Sequence, residues 1–567
     1  MAFARALRVG MIAALYVCSS AGAQLKFTER ASDAGCSVVH QTALQLPDME
    51  FMAPGGAVGD FNRDGHLDLF VIGGGGGMDR LFLNNGNGTF TDVTLSAGVG
   101  RTHRGTGAAV GDYNNDGWLD IYVTSIGTTQ MQSAGRNILW RNNGNGTFTD
   151  VAQAAGVRMT HQSLGEAFGA AFGDFDGDGD LDLAVAGWQG GNRLFRNNGN
   201  GTFTNVTSIA LPAGMNTVKG YAPRFVDMNG DGWPDLLWVA DFLTSRYLIN
   251  NGDGTFTDAT ASSGTGLDEN GMGNTYGDFD NDGLFDWYVT SRINEDKSAG
   301  SGNMLYRQVS PHVFEEISVA AGVNFGYWGW GTEATDFDHD GRVDIVATNG
   351  WEAPNQADPT QLYMNNGDGT FTDRAVESGI LHAGQGRGLL TADFDNKGSR
   401  DIVIFNTRQP MLLYRNDLPN PGATSITLRF VTRHVLGLAP DGFGTKVVMQ
   451  TPGLTQMRYI DGGSTYLAQS ELSAHIGLAG ATHANLTITY ANGMTETLKN
   501  VPAGIYTITA RACIADFQPD GVLNFFDVST FLAAFSARHP QADLNDDGVF
   551  DFFDVAGYLG AFSAGCQ

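Results

Sequence analysis

The stretch Gly59-Asp-Phe-Asn-Arg-Asp-Gly-His-Leu-Asp68 decides how the rest of this chain is interpreted. Counted from Asp60, it places oxygen-bearing side chains at positions 1, 3, 5 and 9 and a glycine at position 6. Variants of it return with their first aspartates at Asp112, Asp174, Asp227, Asp278, Asp336 and Asp393. The intervals are 52, 62, 53, 51, 58 and 57 residues, so the chain contains seven copies of one unit.

Each copy has the pattern of four short β-strands. In the second copy a Gly/Ala-rich strand (107–111) precedes the acidic loop, and an alternating strand (119–124) follows it. A third strand (137–141) leads through the Asn-Gly turn at 142–146 into a fourth (147–151). Asn-Gly pairs between apolar strands are typical of hairpins, because both residues tolerate positive φ. A four-stranded unit repeated seven times predicts a mainly β fold, a seven-bladed β-propeller.

The seventh copy lacks its own fourth strand. After its third strand (411–415) the chain enters a proline-containing linker. Phe27-Thr28-Glu29-Arg30 carries the Phe-Thr signature of the fourth strands seen at Phe90, Phe148, Phe203, Phe256 and Phe371. We therefore predict that this N-terminal strand completes the last blade and leaves no open sheet edge.

The first six acidic loops are predicted calcium sites. Alternate side chains of a tight loop converge on one point, and hard oxygen ligands without His or Cys favour Ca²⁺ over zinc or copper. The expected ligands are Asp60, Asn62, Asp64 and Asp68; Asp112, Asn114, Asp116 and Asp120; Asp174, Asp176, Asp178 and Asp182; Asp227, Asn229, Asp231 and Asp235; Asp278, Asp280, Asp282 and Asp286; and Asp336, Asp338, Asp340 and Asp344.

Over about residues 25 to 416 the chain resembles the FG-GAP repeats of integrin α-subunits and related secreted proteins. The seventh loop departs from that pattern, because Lys397 occupies position 5 beside Asp393, Asp395 and Asp401. An ammonium group there can neutralise the carboxylates in place of an ion. We expect this loop to hold no metal.

Strand alternation predicts where a ligand binds. The acidic loops and the Asn-Gly turns share one face of an antiparallel blade, so the other face carries the variable loops 125–136, 291–303 and 349–361. Variable loops on a rigid scaffold usually carry binding. The candidate ligand-face residues are Trp188, Arg292, Trp351 and Glu352.

A second module follows the Pro419–Gly422 linker. Alternating strands are expected at 426–431, 446–450, 486–490 and 506–509. Asp441-Gly-Phe-Gly-Thr-Lys446, Gly462-Gly-Ser464 and His475-Ile-Gly-Leu478 resemble the ASPIC/UnbV module, which follows FG-GAP-type repeats in the cartilage acidic protein family. The resemblance implies no known chemical activity for this module, and His475 is interpreted as a structural residue.

The C-terminal residues are an internal duplication with an offset of 27 residues, and Phe-Phe-Asp-Val occurs in both halves. Each half has an EF-hand-like loop with glycine at position 6. An amphipathic helix is expected after each loop, at 528–536 and 555–563. The expected ligands are Asp516, Gln518, Asp520, Asn524 and Asp527 in the first loop and Asp543, Asn545, Asp547, Asp551 and Asp554 in the second.

This pair of loops resembles a dockerin of the type that ends in Gly-Cys. The resemblance implies a cohesin-like or surface partner, and Phe525, Phe526, Phe552 and Phe553 occupy the positions that help select it. Partner surface and small core were both open interpretations of these phenylalanines. Cys513 and Cys566 bracket the unit and are expected to pair, whereas Cys36 is interpreted as a buried apolar side chain.

The N-terminal segment and the net charge indicate where the protein is located and what it does not bind. Arg5 and Arg8, an apolar stretch and Ala21-Gly-Ala23 predict a signal peptide over 1–23 and a secreted protein. The domains expected are a propeller over 24–418, an ASPIC/UnbV-like module over 419–510 and a dockerin-like module over 511–567. A net charge of −28 argues against nucleic acid, and no later segment is long and apolar enough to span a membrane.

These observations predict a calcium-binding recognition or adhesion protein with about six Ca²⁺ in the propeller and two in the tail. The propeller would bind a glycan or an extracellular protein, and the tail would attach it to a scaffold or cell surface. The alternative is a polysaccharide lyase or hydrolase built on a calcium-bearing propeller. No Gly-x-Ser-x-Gly or His-Glu-x-x-His motif is present, so a non-enzyme is favoured.

Overall fold

A computed structural model describes residues 25–43, 49–127, 135–161, 167–294, 299–462, 465–545 and 547–566. The expected signal peptide over 1–23 lies outside these residues, as do parts of the loops 125–136 and 291–303. Strands dominate. Among the described residues no helix is both long and apolar enough to cross a membrane.

Residues 25–416, called here the repeat domain, form seven four-stranded antiparallel sheets. The first four sheets contain Gly56–Gly59, Asp68–Val71, Arg80–Asn84 and Phe90–Asp92; Gly105–Gly111, Asp120–Ser125, Ile138–Asn142 and Phe148–Asp150; Ala170–Gly173, Asp182–Val185, Arg193–Asn197 and Phe203–Asn205; and Lys219–Val226, Asp235–Asp241, Arg246–Asn250 and Phe256–Asp258.

The remaining three sheets follow in chain order. They contain Asn274–Gly277, Asp286–Val289, Met304–Ser310 and Val313–Glu316; Gly329–Thr335, Asp344–Asn349, Gln361–Asn365 and Phe371–Asp373; and Gly386–Ala392, Asp401–Asn406, Leu412–Asn416 and the N-terminal Phe27–Glu29. Phe27 pairs with Asn416 and Glu29 with Tyr414. The prediction that the N-terminal strand completes the seventh sheet is confirmed.

Short elements connect the sheets. One-turn helices follow the fourth strands of the first five sheets, and a two-residue ladder joins Gly135–Arg136 to Thr160–His161. The helices are Thr94–Ala97, Ala152–Ala155, Thr207–Ala210, Thr260–Ser263 and Ser318–Ala321. The 3₁₀ turns are Met49–Met52, Met215–Thr217, Asn355–Ala357, Pro421–Ala423, Pro440–Gly442 and Pro540–Ala542.

Each sheet packs against the next through buried apolar side chains. Val110 and Ile121 of the second sheet share a core with Phe70 of the first. Leu69 of the first sheet in turn shares a core with Leu413 of the seventh. The same pattern joins every consecutive pair between them. The seven sheets therefore close on themselves around a common centre.

Residues 425–510, called here the C-terminal β module, form two sheets around one core. One contains Ala474–Gly477, Ser425–Val431 and Gly504–Thr509, and the other contains Leu454–Tyr459, Lys446–Thr451, His483–Thr489 and Thr495–Pro502. Leu428, Val447, Ile476 and Leu486 are buried between them. Four of these strands were predicted; the strands at 454–459, 474–477 and 495–502 were missed.

A segment of the C-terminal β module fills the centre of the repeat domain. Residues 465–469, called here the plug, are buried. Ala468–Gln469 pairs in parallel with the first strand of the first sheet. Asn274 N donates to Thr465 O at 2.8 Å, and the Gln469 side chain exchanges hydrogen bonds with the backbone of Val110 at 2.7 and 3.0 Å. The plug thus ties together first strands from separate sheets.

Residues 511–566, called here the tail unit, contain two helices, Phe525–Ser536 and Phe552–Ala564. Both begin three residues earlier than predicted, because Asn524 and Asp551 act as N-caps in complete capping boxes. Phe531 and Tyr558 stack with ring centroids 4.0 Å apart. Together with Phe517 they form the small core that joins the two duplicated halves.

Candidate functional site

The acidic loops of the repeat domain share one hydrogen-bond geometry, shown by the first. Asp60 Oδ1 accepts from Asp64 N at 3.1 Å, and Asp60 Oδ2 accepts from Gly65 N at 2.9 Å. The φ of Gly65 is +85°, which glycine adopts without strain. Asp68 Oδ2 accepts from Phe61 N and Asp68 Oδ1 from Asn84 N, both at 2.9 Å. Backbone donors therefore hold both ends of the loop and turn its carboxylates toward one point.

The same bonds recur in the other loops. The position-1 aspartate accepts from the glycine at position 6 in each, and the position-9 aspartate accepts from the third strand of its own sheet. Three loops bring three carboxylate oxygens within 4.8 Å of one another: Asp174, Asp176 and Asp182; Asp278, Asp280 and Asp282; and Asp336, Asp338 and Asp344. In the first, second and fourth loops asparagine supplies the position-3 oxygen.

Burial places these carboxylates in an unfavourable environment without a cation. It raises the pKa of Asp68 to about 8 and that of Asp182 well above its usual value. Asp120 Oδ2, Asp176 Oδ1 and Asp338 Oδ1 are buried and accept no hydrogen bond within the described part of the chain. Orphaned carboxylate oxygens that converge in a loop are the donor set that a hard divalent cation requires. The residues therefore fit calcium.

Two cationic side chains lie against the acidic groups of the seventh loop, Lys397 from the loop itself and Arg415 from the strand Leu412–Asn416. Lys397 Nζ lies 2.8 Å from Asp395 Oδ2, as the sequence suggested. Arg415, which sequence reasoning missed, lies 2.9 Å from Asp395 Oδ2 and 3.1 Å from Asp401 Oδ2. Lys397 is largely exposed whereas Arg415 is mostly buried, so Arg415 supplies the better shielded charge. In the sixth loop Arg342 also forms an ion pair with Asp340, a predicted ligand.

The position-7 residues show that the acidic loops and the Asn-Gly turns lie on one side of the repeat domain, called here the loop face. The rings of His66, Trp118 and Trp233 lie against Gly86, Gly144 and Gly252 of their turns. The C-terminal β module sits on this face. Ala479 N donates to His339 O at 3.1 Å, and Arg224 Nε donates to Asp461 Oδ2 at 2.6 Å.

His475 is buried within this contact. Its Nδ1 lies 3.0 Å from Thr427 Oγ1, and its ring centroid lies 5.0 Å from that of His339. Burial lowers the pKa of His475 well below its usual value, so the ring is neutral at pH 7. The geometry agrees with a structural interpretation of this residue.

The tail loops repeat the same local bonds. Asp516 Oδ2 accepts from Gly521 N at 2.9 Å, and Asp543 Oδ2 accepts from Gly548 N at 2.7 Å. At position 12 the buried Asp527 and Asp554 accept backbone N–H groups of their own loops. The remaining predicted ligands, Gln518, Asp520, Asn524, Asn545, Asp547 and Asp551, lie in the same two loops, and Asn524 and Asp551 also cap the helices.

The tail phenylalanines do not fill the core. Phe525, Phe526, Phe552 and Phe553 are 76%, 62%, 75% and 66% exposed. A disulfide joins Cys513 to Cys566, whose Cα atoms are 5.3 Å apart. Cys36, by contrast, is a buried free thiol in the repeat domain. The four exposed rings form two pairs, Phe525 with Phe526 and Phe552 with Phe553, and exposed apolar groups of this size usually mark an interaction site.

The opposite side of the repeat domain carries tryptophans around the centre, and Trp188, Trp328, Trp330 and Trp351 define what we call the tryptophan face. Trp188 and Trp351 follow the ends of second strands, and Trp328 and Trp330 lie at the start of a first strand. Because each acidic loop joins the end of a first strand to the start of a second, all four tryptophans lie at the strand ends away from these loops. Two of the predicted ligand-face residues, Trp188 and Trp351, are among them. Trp351 stacks on Trp328 and Trp330, with centroid distances of 5.2 and 5.5 Å.

The other two predicted ligand-face residues are placed beside these rings. The Arg292 guanidinium lies 5.0 Å from the centroid of Trp328, and Glu352 adjoins Trp351 in sequence and is half-buried. Sequence reasoning missed two further cations. Lys219 Nζ lies 5.2 Å from the Trp188 centroid, and the buried Arg387 guanidinium lies 4.3 Å from that of Trp330. Burial lowers the pKa of Arg387 to about 9, so it stays charged at pH 7.

Asp241 organises one side of the tryptophan face. Its carboxylate accepts from Trp188 Nε1 at 3.2 Å and from Asn270 Nδ2 at 2.6 Å. The following turn holds Phe242 and Leu243 at φ of 55° and 58°, although both side chains are more than half exposed. Consecutive bulky residues in the left-handed region are strained, and such strain is concentrated at functional sites.

Comparison with known proteins agrees with this architecture. A family model described as FG-GAP-like repeat matches residues 60–123, 128–185, 174–238 and 227–289, and one described as ASPIC and UnbV matches residues 437–512. Cartilage acidic protein 1 of Mus musculus is 24% identical over 420 residues, covering 72% of this chain and 45% of that protein. The Homo sapiens protein is 24% identical over 431 residues, covering 74% and 46%. The chain thus spans less than half the length of these curated relatives.

Solved structures give weaker similarities. A rhamnogalacturonan lyase of Bacillus licheniformis is 13% identical with a TM-score of 0.36, covering 64% of this chain and 71% of that one. The V. cholerae biofilm matrix protein Bap1 is 12% identical with a TM-score of 0.33, covering 65% and 88%. TM-scores below 0.5 do not bear on function here. The family matches and the observed sheets together identify the chain as one that carries FG-GAP-like repeats followed by an ASPIC and UnbV domain, with distant similarity to cartilage acidic protein 1.

Proposed function

We propose that this chain is a secreted, calcium-binding recognition protein whose repeat domain is a seven-bladed β-propeller. The propeller binds a glycan or an extracellular protein on its tryptophan face, and the tail unit attaches it to a scaffold or cell surface. The observation that carries this proposal is the division between the two sides of the propeller. The acidic loops and the C-terminal β module occupy one side, and the other presents aromatic and cationic side chains.

Calcium has a structural role in this proposal. The first six acidic loops hold six ions and the tail loops two, at the ligands named above. Each ion compensates for carboxylates that the fold has already brought together and partly desolvated. Because these side chains also accept backbone hydrogen bonds, they are positioned to fix the loops and not to transfer protons.

The tail unit supplies the attachment. Its disulfide and aromatic core hold the two halves together while the four exposed phenylalanines remain on the surface. A dockerin-like role with a cohesin-like or surface partner accounts for an apolar surface on a unit that has its own core.

The test is an array of polysaccharides and extracellular matrix proteins, probed with the full chain in millimolar calcium and scored for both binding and cleavage. Binding without product formation supports recognition. Appearance of unsaturated or hydrolysed oligosaccharides would support the lyase or hydrolase alternative. If the chain binds none of the glycans and none of the matrix proteins on the array, the recognition function is contradicted.

A further inference from the structure

Three cationic side chains of the tryptophan face have no acidic partner among the described residues. No carboxylate of the described residues forms an ion pair with Lys219, Arg292 or Arg387. Within the described ranges Arg387 donates only to the backbone carbonyls of Phe51, Gly350 and Gly386, and its Nη2 has no partner there. Arg292 Nε is likewise buried and finds no acceptor in the part of the chain that the structure describes. Unpaired cations are unexpected in a chain whose net charge is −28.

Aromatic rings fix where these charges lie. Arg292 caps one end of the stack Trp328, Trp351 and Trp330, and Arg387 caps the other end. Lys219 lies over Trp188, which Asp241 orients. A cation stacked on an indole ring has a restricted position but retains N–H groups for an anion. The charges are therefore preorganised, which lowers the entropy cost of binding.

Apolar and hydroxyl-bearing groups lie near these cations. Phe242, at 6.0 Å from Trp188 between ring centroids, and Leu243 form an exposed apolar edge. Asn270 N donates to Ser291 Oγ at 3.2 Å, and Ser291 Oγ lies 3.1 Å from Ser301 Oγ. This polar link runs from Asp241 to the residue preceding Arg292. The face thus combines anion donors with an exposed apolar surface, and the buried Ser291 hydroxyl helps to hold Asn270 in place.

We infer that the tryptophan face binds an acidic polysaccharide, one that carries a carboxylate or sulfate on its sugar rings. Lys219 and Arg292 bind the acidic groups directly, and the buried Arg387 adds positive potential beneath Trp351. The apolar edge at Phe242 accepts the C–H face of a pyranose ring. This inference rests on the recognition function proposed above and specifies its ligand class. Asp241, which lies opposite Lys219 in the strand pairing, Glu269 and Glu352 are acidic residues on this side, and none of the three forms an ion pair with these cations among the described residues.

The experiment measures the affinity of the full chain by calorimetry at a fixed millimolar calcium concentration. The probes are polygalacturonate, its methyl-esterified form, dextran sulfate, neutral dextran and polyglutamate. We expect polygalacturonate or dextran sulfate to bind at least about tenfold more tightly than its uncharged counterpart, since charge-assisted bonds are roughly twice as strong as neutral ones. The two charged probes separate a carboxylate from a sulfate ligand.

Variants then locate the site. Lys219→Gln combined with Arg292→Gln weakens binding at least about tenfold, with an unchanged melting temperature. Arg307→Gln is the matched control, since Arg307 is a partly exposed cation paired with Glu315 on a third strand. It leaves binding unchanged. Glu352→Gln, which removes a negative charge from the tryptophan face, strengthens binding.

Four outcomes would overturn the inference. Equal binding by the wild type and the double variant would place the ligand elsewhere, and loss of binding in Asp231→Asn instead would place it on the loop face. Preference for polyglutamate would indicate an acidic protein ligand. Preference for neutral dextran would refute the charge argument but leave recognition of a glycan intact. The recognition function itself fails only if the array of glycans and matrix proteins gives no binding.

Discussion

Gly55 lies directly against the plug, where a Cβ atom would come within 1.6 Å of the carbonyl oxygen of Leu467. Leu467 itself is buried with a φ of 57°, and its carbonyl accepts from Ala108 N at 3.2 Å. The C-terminal β module and the repeat domain are therefore joined at the centre of the closed set of sheets by a contact that tolerates no side chain at position 55.

Replacing Gly55 with alanine tests this contact. We expect the variant to lower the free energy of unfolding by roughly 1–3 kcal/mol or more, because overpacking at a site without free volume forces the backbone apart. Gly560→Ala is the control, since nothing lies within 4 Å of its added Cβ. Urea unfolding curves of the two variants give the comparison. An unchanged stability of Gly55→Ala would show that the plug moves freely.

Calcium removal should destabilise the protein. An ion that binds only the folded chain stabilises it by about 1.4–2.7 kcal/mol per site at ten to a hundred times its Kd. We expect a lower Tm in excess EDTA than in millimolar calcium, and elemental analysis should give about eight ions per chain. Two or fewer ions per chain, or equal Tm values in the two conditions, would refute the assignment.

The seventh loop should depend on Arg415 and not on metal. Arg415→Met leaves Asp395 and Asp401 without their most buried cation, and we expect a loss of about 3 kcal/mol. Arg80→Met provides the comparison, because its ion pair with Asp92 is more than one-third exposed and is worth at most about 1 kcal/mol. Denaturant titration at saturating calcium measures both. Equal losses would mean that burial of the seventh-loop pair has no energetic consequence.

The contact between the C-terminal β module and the repeat domain should weaken in acid. Burial would raise the pKa of Glu471, but Arg400 and Arg429 hold it at about 2. A depressed pKa stabilises the fold above the ordinary glutamate value, and this contribution is lost as the pH falls from about 4.5 to about 2. The Tm difference between the wild type and Glu471→Gln should therefore shrink over that range. A difference independent of pH would argue that Glu471 acts through packing.

The exposed tail phenylalanines should be needed for attachment and not for folding. Phe526→Ser with Phe553→Ser should keep the tail unit folded and abolish retention on the cell surface. Phe531→Ser is the contrasting variant. It removes a buried ring stacked on Tyr558 and should cost about 3–5 kcal/mol and unfold the unit. Circular dichroism and a surface-binding assay separate the two effects. Full surface retention by the double variant would exclude the phenylalanines from the interface.

The sequence by itself determined the features that depend on local spacing. The seven acidic loops and the duplicated tail follow from patterns within a few residues, and the sheet-completing strand at Phe27 follows from the Phe-Thr signature that it shares with the fourth strands of the other repeats. They could be predicted because strand alternation, glycine at position 6 and hairpin turns are local requirements of the backbone. The two tail helices begin at Phe525 and Phe552, three residues before the predicted starts. The sequence pattern alone identified Asn524 and Asp551 as loop ligands and not as helix N-caps.

Only the tertiary structure decided which distant residues meet. Leu467 reaches Gly55 across more than 400 residues, and Arg415 reaches Asp395 from a neighbouring strand. Nothing in the sequence near Arg387 shows that it stacks on Trp330, nor near Lys219 that it lies over Trp188. These contacts depend on how seven sheets close into a ring. The closed arrangement of the sheets brings together residues that are far apart in the sequence, and no local sequence pattern indicates these contacts.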